Sequence, residues 1–145
     1  MLFSKPCQYA ILAMTYLARQ PQGKLVAIRE IGEAANVPLA FLAKIVGNLA
    51  RHGLVVARRG PNGGVALNHP PDEITIGDIV GAIDGPLEEA GCVLGFPECS
   101  DGNPCPVHDS WKRVRVELQQ TMHDRKLSSL PRRVRPRKTG GKRKA

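Results

Sequence analysis

The first apolar block, Tyr9-Ala10-Ile11-Leu12-Ala13-Met14-Thr15-Tyr16-Leu17-Ala18, is hydrophobic nearly all round. Such a run predicts a helix buried on more than one side. Ser4 can cap it, and Pro6 is tolerated in its first turn, where the missing N–H has no helical partner to lose. Pro21-Gln22-Gly23 ends it. Residues 28–35 then read as a short amphipathic helix and Asn36-Val37-Pro38 as a turn. In residues 39–51, Leu42, Ile45, Val46 and Leu49 recur at helical spacing, and Gly53 supplies a left-handed stop. Leu54-Val55-Val56-Ala57-Arg58-Arg59 predicts a strand, Gly60-Pro61-Asn62-Gly63-Gly64 a turn and Val65-Ala66-Leu67 the returning strand.

Past the linker His69-Pro70-Pro71, residues 75–84 predict a fourth helix. Thr75 caps it, Gly85-Pro86 stops it, and Ile76, Ile79, Val80 and Ile83 share one face. In the last periodic segment Val107, Trp111, Val114, Leu118 and Met122 form one apolar stripe opposite Lys112, Arg113, Arg115, Glu117 and Gln119. A long helix with a single stripe buries it against its own domain or against a twin, and dimerisation is the favoured expectation. Two amphipathic helices across a tight turn are by themselves consistent with a plain helical hairpin. Followed at once by a strand–turn–strand, they predict a mainly α protein: a winged helix-turn-helix with a small β-hairpin wing and a long C-terminal dimerisation helix. The expected organisation is a DNA-binding unit over residues 1–71, a connecting helix over 72–91, a cysteine-rich loop over 92–108, a dimerisation helix over 107–127 and a disordered basic tail over 128–145.

Charge sharpens this division. The 145-residue chain carries a formal charge of +8, but unevenly. Residues 1–71 hold eight basic and two acidic side chains, residues 72–109 nine acidic and no Lys or Arg, and residues 131–145 eight basic and no acidic. A basic first part suits a polyanion, and the tail can add salt-sensitive DNA affinity. No secretory or membrane segment is visible: the apolar run at 10–18 is broken by Thr15 and Tyr16 and is too short to span. The expected compartment is therefore the cytoplasm, where thiols stay reduced and cysteines more often serve metals or redox chemistry than structural disulfides.

Three of the four cysteines, Cys92, Cys99 and Cys105, lie in a Gly/Pro-punctuated loop closed by His108. Thiolates along a flexible loop with a terminal imidazole can wrap a metal. A structural zinc site normally shows two close ligand pairs, and only Cys105 and His108 make one here. Iron–sulfur clusters take ligands from looser loops, and histidine can replace a thiolate on one iron, so iron–sulfur is preferred to zinc. Three unligated cysteines in such a loop would find little apolar burial. Cys7, on the first helix, reads by default as a small buried hydrophobe, with a fourth ligand supplied to the partner subunit's loop as the lesser alternative. No catalytic signature is present: there is no nucleophile elbow, no phosphate-binding Gly loop leading into a helix, and no paired carboxylates in a pocket motif.

The chain resembles the bacterial winged-helix iron–sulfur regulators that include IscR, NsrR and RirA. The resemblance runs from Gln8-Tyr9-Ala10 to the helix near Leu127. Gly53-Leu54-Val55, Arg59-Gly60-Pro61-Asn62-Gly63-Gly64 and the set Cys92, Cys99, Cys105, His108 and Trp111 carry it. It implies a homodimeric transcription factor, a repressor by expectation, sensing iron, nitric oxide or redox state. It implies a cluster on Cys92, Cys99 and Cys105, and the Cys105-x-x-His108 pattern favours [2Fe–2S] with His108 as fourth ligand over [4Fe–4S]. It also places Leu39, Ala40, Phe41, Ala43 and Lys44 toward bases in the major groove, with Arg58, Arg59 and Gly60 of the wing on the minor groove. The competing expectations are a zinc- or thiol-based DNA-binding regulator and, in another class, a small iron–sulfur electron-transfer or cluster-delivery protein.

Overall fold

The computed structural model describes residues 2–89 and 91–130. Its chain order is α1 (Lys5–Leu17), α2 (Ile28–Ala35), α3 (Leu39–Arg51), β1 (Val55–Arg58), β2 (Gly64–Leu67), α4 (Ile76–Asp84) and α5 (His108–Asp124), with 3-10 turns at Pro71–Glu73, Leu87–Glu89 and Leu127–Ser129. The mainly helical winged-helix reading holds, element for element.

Helix α1 is the hub. It packs against α2, α3 and α4, and Cys7, Ala10, Ala13, Met14, Thr15 and Leu17 are all buried, as a helix apolar on most sides requires. The Ser4 hydroxyl accepts from the Cys7 amide at 3.1 Å and caps the helix. Ser4 also donates its own amide to Asp84 at 2.9 Å, and its hydroxyl to the same carboxylate, tying the start of α1 to the end of α4.

Helices α2 and α3 meet across a left-handed Asn36, φ 54°. Gly32 suits their close approach: a Cβ there would lie a tight 3.1 Å from both the Leu39 side chain and the Val37 carbonyl. Leu42, Ile45, Val46 and Leu49 are buried on the inner face of α3. Full burial of each such side chain stabilises by about 1.5–3 kcal/mol.

The wing is an antiparallel pair, with Val55 opposite Leu67 and Arg58 opposite Gly64. A third segment joins it: Val26 and Val65 exchange backbone hydrogen bonds of 2.9 and 2.8 Å. That crossing dictates the glycine. A Cβ on Gly64 would sit 2.6 Å from the Val26 carbonyl oxygen, and one on Gly63 only 2.2 Å from that of Arg58.

Helix α4 opens with a reciprocal capping box between Thr75 and Asp78. Its neighbour α5 packs on it, and the chain then returns alongside the start of α4. Ile76 donates to the Arg125 carbonyl at 3.0 Å and Leu127 to that of Ile74 at 2.8 Å. Leu127 is 1% exposed and Leu130 packs against the same core, so the folded part continues through residue 130 rather than fraying at 128. The rest of the expected basic tail, residues 131–145, lies outside the described residues.

Candidate nucleic-acid interface and metal centre

The outer face of α3 is polar in position but apolar in content. Leu39, Ala40, Phe41, Ala43 and Lys44 are all exposed, as are Arg58, Arg59 and Gly60 of the wing. Leu39 and Phe41 leave about half their surface to solvent, at 49% and 48%. Tyr9 of α1 supports them: its ring centroid lies 5.7 Å from that of Phe41, and Lys5 Nζ sits 5.2 Å above the Tyr9 ring. Sequence reading missed Lys5 and Tyr9 at this face, because α1 read only as a buried hub.

Residues 92–107 form turns with no helix or strand. The structure gathers the four candidate ligands as two pairs. Cys92 Sγ lies 3.7 Å from Cys105 Sγ, and Cys99 Sγ lies 3.5 Å from His108 Nδ1. Local turns produce this arrangement: the Gly95 amide folds back on the Cys92 carbonyl at 2.9 Å, and the His108 amide on that of Cys105 at 3.0 Å. Cys92 and His108 are buried, while Cys99 and Cys105 are half-buried. Among the described residues, no three His, Cys, Asp or Glu side chains are arranged to hold one metal ion.

Two neighbours fix the loop to α5. Trp111, 9% exposed, donates its indole N–H to the Gly91 carbonyl at 3.3 Å. Asp101 accepts from His108 Nε2 at 2.8 Å and pairs with Lys112 Nζ at 3.1 Å. The His108 hydrogen bond, followed by the Lys112 ammonium, holds the Asp101 carboxyl below its ordinary range. Backbone N–H groups, Phe96 first and then Leu94 and Gly95, with the Cys105 thiol, pull the Cys92 thiol below its usual value against the effect of burial. Cys7 behaves oppositely: burial, then the Asp84 charge, push it up to about 12. It is fully buried on α1, matching a small core hydrophobe.

A helix-turn-helix whose wing and outer helix face are exposed together, joined through a cysteine loop to a long helix, defines a winged-helix DNA-binding protein. The chain belongs to the Rrf2 family of iron-dependent transcriptional regulators, whose model matches residues 3–133. It is 36% identical over 121 residues to an HTH-type transcriptional regulator of Aquifex aeolicus, covering 82% of this chain and 83% of that one. It is 30% identical to the HTH-type transcriptional regulator IscR of Aliivibrio salmonicida, covering 85% and 73%. Its fold superposes on CymR, the global cysteine regulator of B. subtilis, with a TM-score of 0.72 at 25% identity, covering 87% and 92%. The protein is thus a DNA-binding transcriptional regulator and not an enzyme. No helix among the described residues is long and apolar enough to cross a membrane.

Proposed function

We propose that this regulator is a homodimer that holds a [2Fe–2S] cluster on Cys92, Cys99, Cys105 and His108 and represses transcription according to the state of that cluster. The pairing of the four side chains carries the reading. Two thiolates on one tetrahedral metal, each bonded at about 2.3 Å, lie roughly 3.7–3.8 Å apart; a thiolate and an imidazole on one metal lie roughly 3.5–3.6 Å apart. The observed separations, 3.7 Å for Cys92 with Cys105 and 3.5 Å for Cys99 with His108, match one pair on each of two irons. Three thiolates and one imidazole also suit iron in a two-metal cluster. When bound, such a cluster supplies a one-electron redox couple and a target for oxidants and nitric oxide.

The protein's part is to convert loop geometry into helix placement. The loop runs from the turn after α4 into the first residue of α5, and Trp111 ties it back to Gly91. On the apolar stripe of α5, Val114 stays 52% exposed and Leu118 and Met122 half-buried, which supports that stripe as the surface that meets a second copy. Two recognition helices must lie about 34–36 Å apart to read successive major grooves. A loop that reorients α5 alters that separation. On this reading Leu39, Ala40, Phe41, Ala43 and Lys44 contact base edges, the apolar members suiting thymine methyl groups. Arg58, Arg59 and Gly60 take phosphates and the minor groove.

The test is operator affinity of the full chain, measured anaerobically with and without iron depletion and nitric oxide, beside variants in which each cysteine is alanine. The expected result is a response in the wild type that the variants lose. Equal affinity throughout would sink the mechanism.

One observation favours a second reading, a thiol switch. Cys92 and Cys105 are close enough to join after a small movement. Both thiols would lose their protons, and the two electrons would pass to an oxidant such as glutathione disulfide. A reversible Cys92–Cys105 disulfide in colourless, metal-free protein, changing operator affinity, would support it.

A further inference from the structure

We infer that Asp101, braced by Lys112, is a positioning residue that orients His108 toward the metal centre. This rests on the reading of His108 as a ligand. The geometry is specific. His108 and Lys112 stand one turn apart on α5, and Asp101 reaches them from the Cys99–Cys105 stretch of the loop. Its Oδ1 lies 2.8 Å from His108 Nε2, and Lys112 Nζ lies 3.2 and 3.1 Å from its two carboxylate oxygens. A carboxylate only accepts, so the proton of this bond sits on Nε2, and in the neutral ring, the form that ligates a metal, the lone pair falls on Nδ1. That nitrogen is the one facing Cys99 Sγ, at 3.5 Å. His108 is 5% exposed, so little water reaches the ring to replace the carboxylate.

The consequence is chemical as well as steric. A carboxylate accepting the far N–H of a ligating imidazole fixes the ring plane and raises the basicity of the ligating nitrogen. A more basic ligand stabilises oxidised iron over reduced iron. Losing Asp101 should therefore raise the reduction potential of the loaded protein and loosen its iron. Lys112 keeps the carboxylate in place, so its loss should act the same way, more weakly. Nothing in the spacing of the cysteines reveals this: Asp101 is an exposed loop acid whose role appears only once the loop folds onto α5.

The test uses the full chain in two states. In apoprotein, the His108 Nε2–H should give a slowly exchanging proton in nitrogen-edited NMR, retained in Asp101→Asn and lost in Asp101→Ala. In anaerobically reconstituted protein labelled with 15N-histidine, coupling of nitrogen to the reduced cluster reports ligation directly. There Asp101→Asn should raise the potential, Asp101→Ala should raise it further, and Asp101→Ala should lose iron to a chelator roughly 10–100-fold more readily. Asp109→Asn removes the same charge from the first turn of α5 and should leave all three readouts near wild type. A wild-type potential in Asp101→Ala, or an equal rise in Asp109→Asn, would overturn the inference while nitrogen coupling still upheld His108 as a ligand. Absence of nitrogen coupling in the wild type would instead overturn the ligand reading, and the inference with it.

Discussion

Trp111 is the chain's single tryptophan, and it joins the cysteine loop to α5. The perturbation is Trp111→Ala, with Trp111→Phe beside it. At 9% exposure the indole keeps nearly all of its burial. A buried tryptophan removes about 150–250 Å² from water, which at ~25 cal/mol/Å² gives an upper bound of roughly 4–6 kcal/mol. Truncations of this kind cost about 3–5 kcal/mol in well-packed sites. Trp111→Phe keeps most of the apolar area but removes the 3.3 Å hydrogen bond to the Gly91 carbonyl. Gly91 is exposed and water can satisfy its carbonyl, so this variant should cost only about 1 kcal/mol beyond its lost area. The assay is urea unfolding followed by far-ultraviolet circular dichroism, since the variants lack the fluorophore. With a slope of about 1–3 kcal/mol/M, Trp111→Ala should lower the midpoint by roughly 2 M and Trp111→Phe by about half as much or less. Trp111→Ala should also uncouple operator affinity from iron depletion. If its midpoint fell by less than about 0.3 M at unchanged slope, the loop would be opening independently of the core. It could not then transmit anything through α5.

Three other outcomes follow from the geometry. Gly64→Ala should displace the Val26 segment, because its Cβ would lie 2.6 Å from the Val26 carbonyl oxygen. Losing that pair of hydrogen bonds should cost about 2–4 kcal/mol and weaken operator binding, readable by thermal unfolding and by titration with duplex. Arg59→Ala should weaken binding to all duplexes and lower the magnitude of the salt slope of affinity by about 1; an unchanged slope would remove Arg59 from the interface. The Cys7 thiol is held protonated in the fold, its pKa raised from 9.0 to about 12. The unfolded chain releases this proton first, so the contribution is complete below pH 9 and is lost as pH rises from 9 toward 12. The slope there should be about 1.4 kcal/mol per pH unit, and Cys7→Ala should flatten that alkaline limb of the stability curve.

The winged-helix layout was legible because each of its elements carries a local signal. Leu42, Ile45, Val46 and Leu49 repeat at helical spacing, Gly53 stops the helix, and Gly60-Pro61-Asn62-Gly63-Gly64 separates two β-branched runs. The capping pair Thr75 and Asp78 was half visible, Thr75 being read as a cap without its partner. What escaped was long-range. Val26 shows no alternation of its own and pairs with Val65 only through the tertiary fold. Leu127 read as the last residue of the long helix, yet α5 ends at Asp124 and Leu127 is buried because residues 125–127 return alongside residues 74–76. The candidate ligands were legible as residue types in a loop, but spacing measures chain length and not direction. It could not tell that Cys92 would face Cys105, or that Cys99 would face His108. Lys5 and Tyr9 went unnoticed beside the outer face of α3 for a related reason. A helix apolar nearly all round gives no hint of which short arc is left uncovered.

The metal content of the protein bears most directly on the central proposal. The full chain would be purified anaerobically, its visible spectrum recorded, and iron, acid-labile sulfide and zinc counted per chain. A [2Fe–2S] centre on Cys92, Cys99, Cys105 and His108 predicts coloured protein with about two irons and two sulfides per chain, and loss of both in the cysteine variants. Colourless protein carrying about one zinc and no sulfide would contradict it.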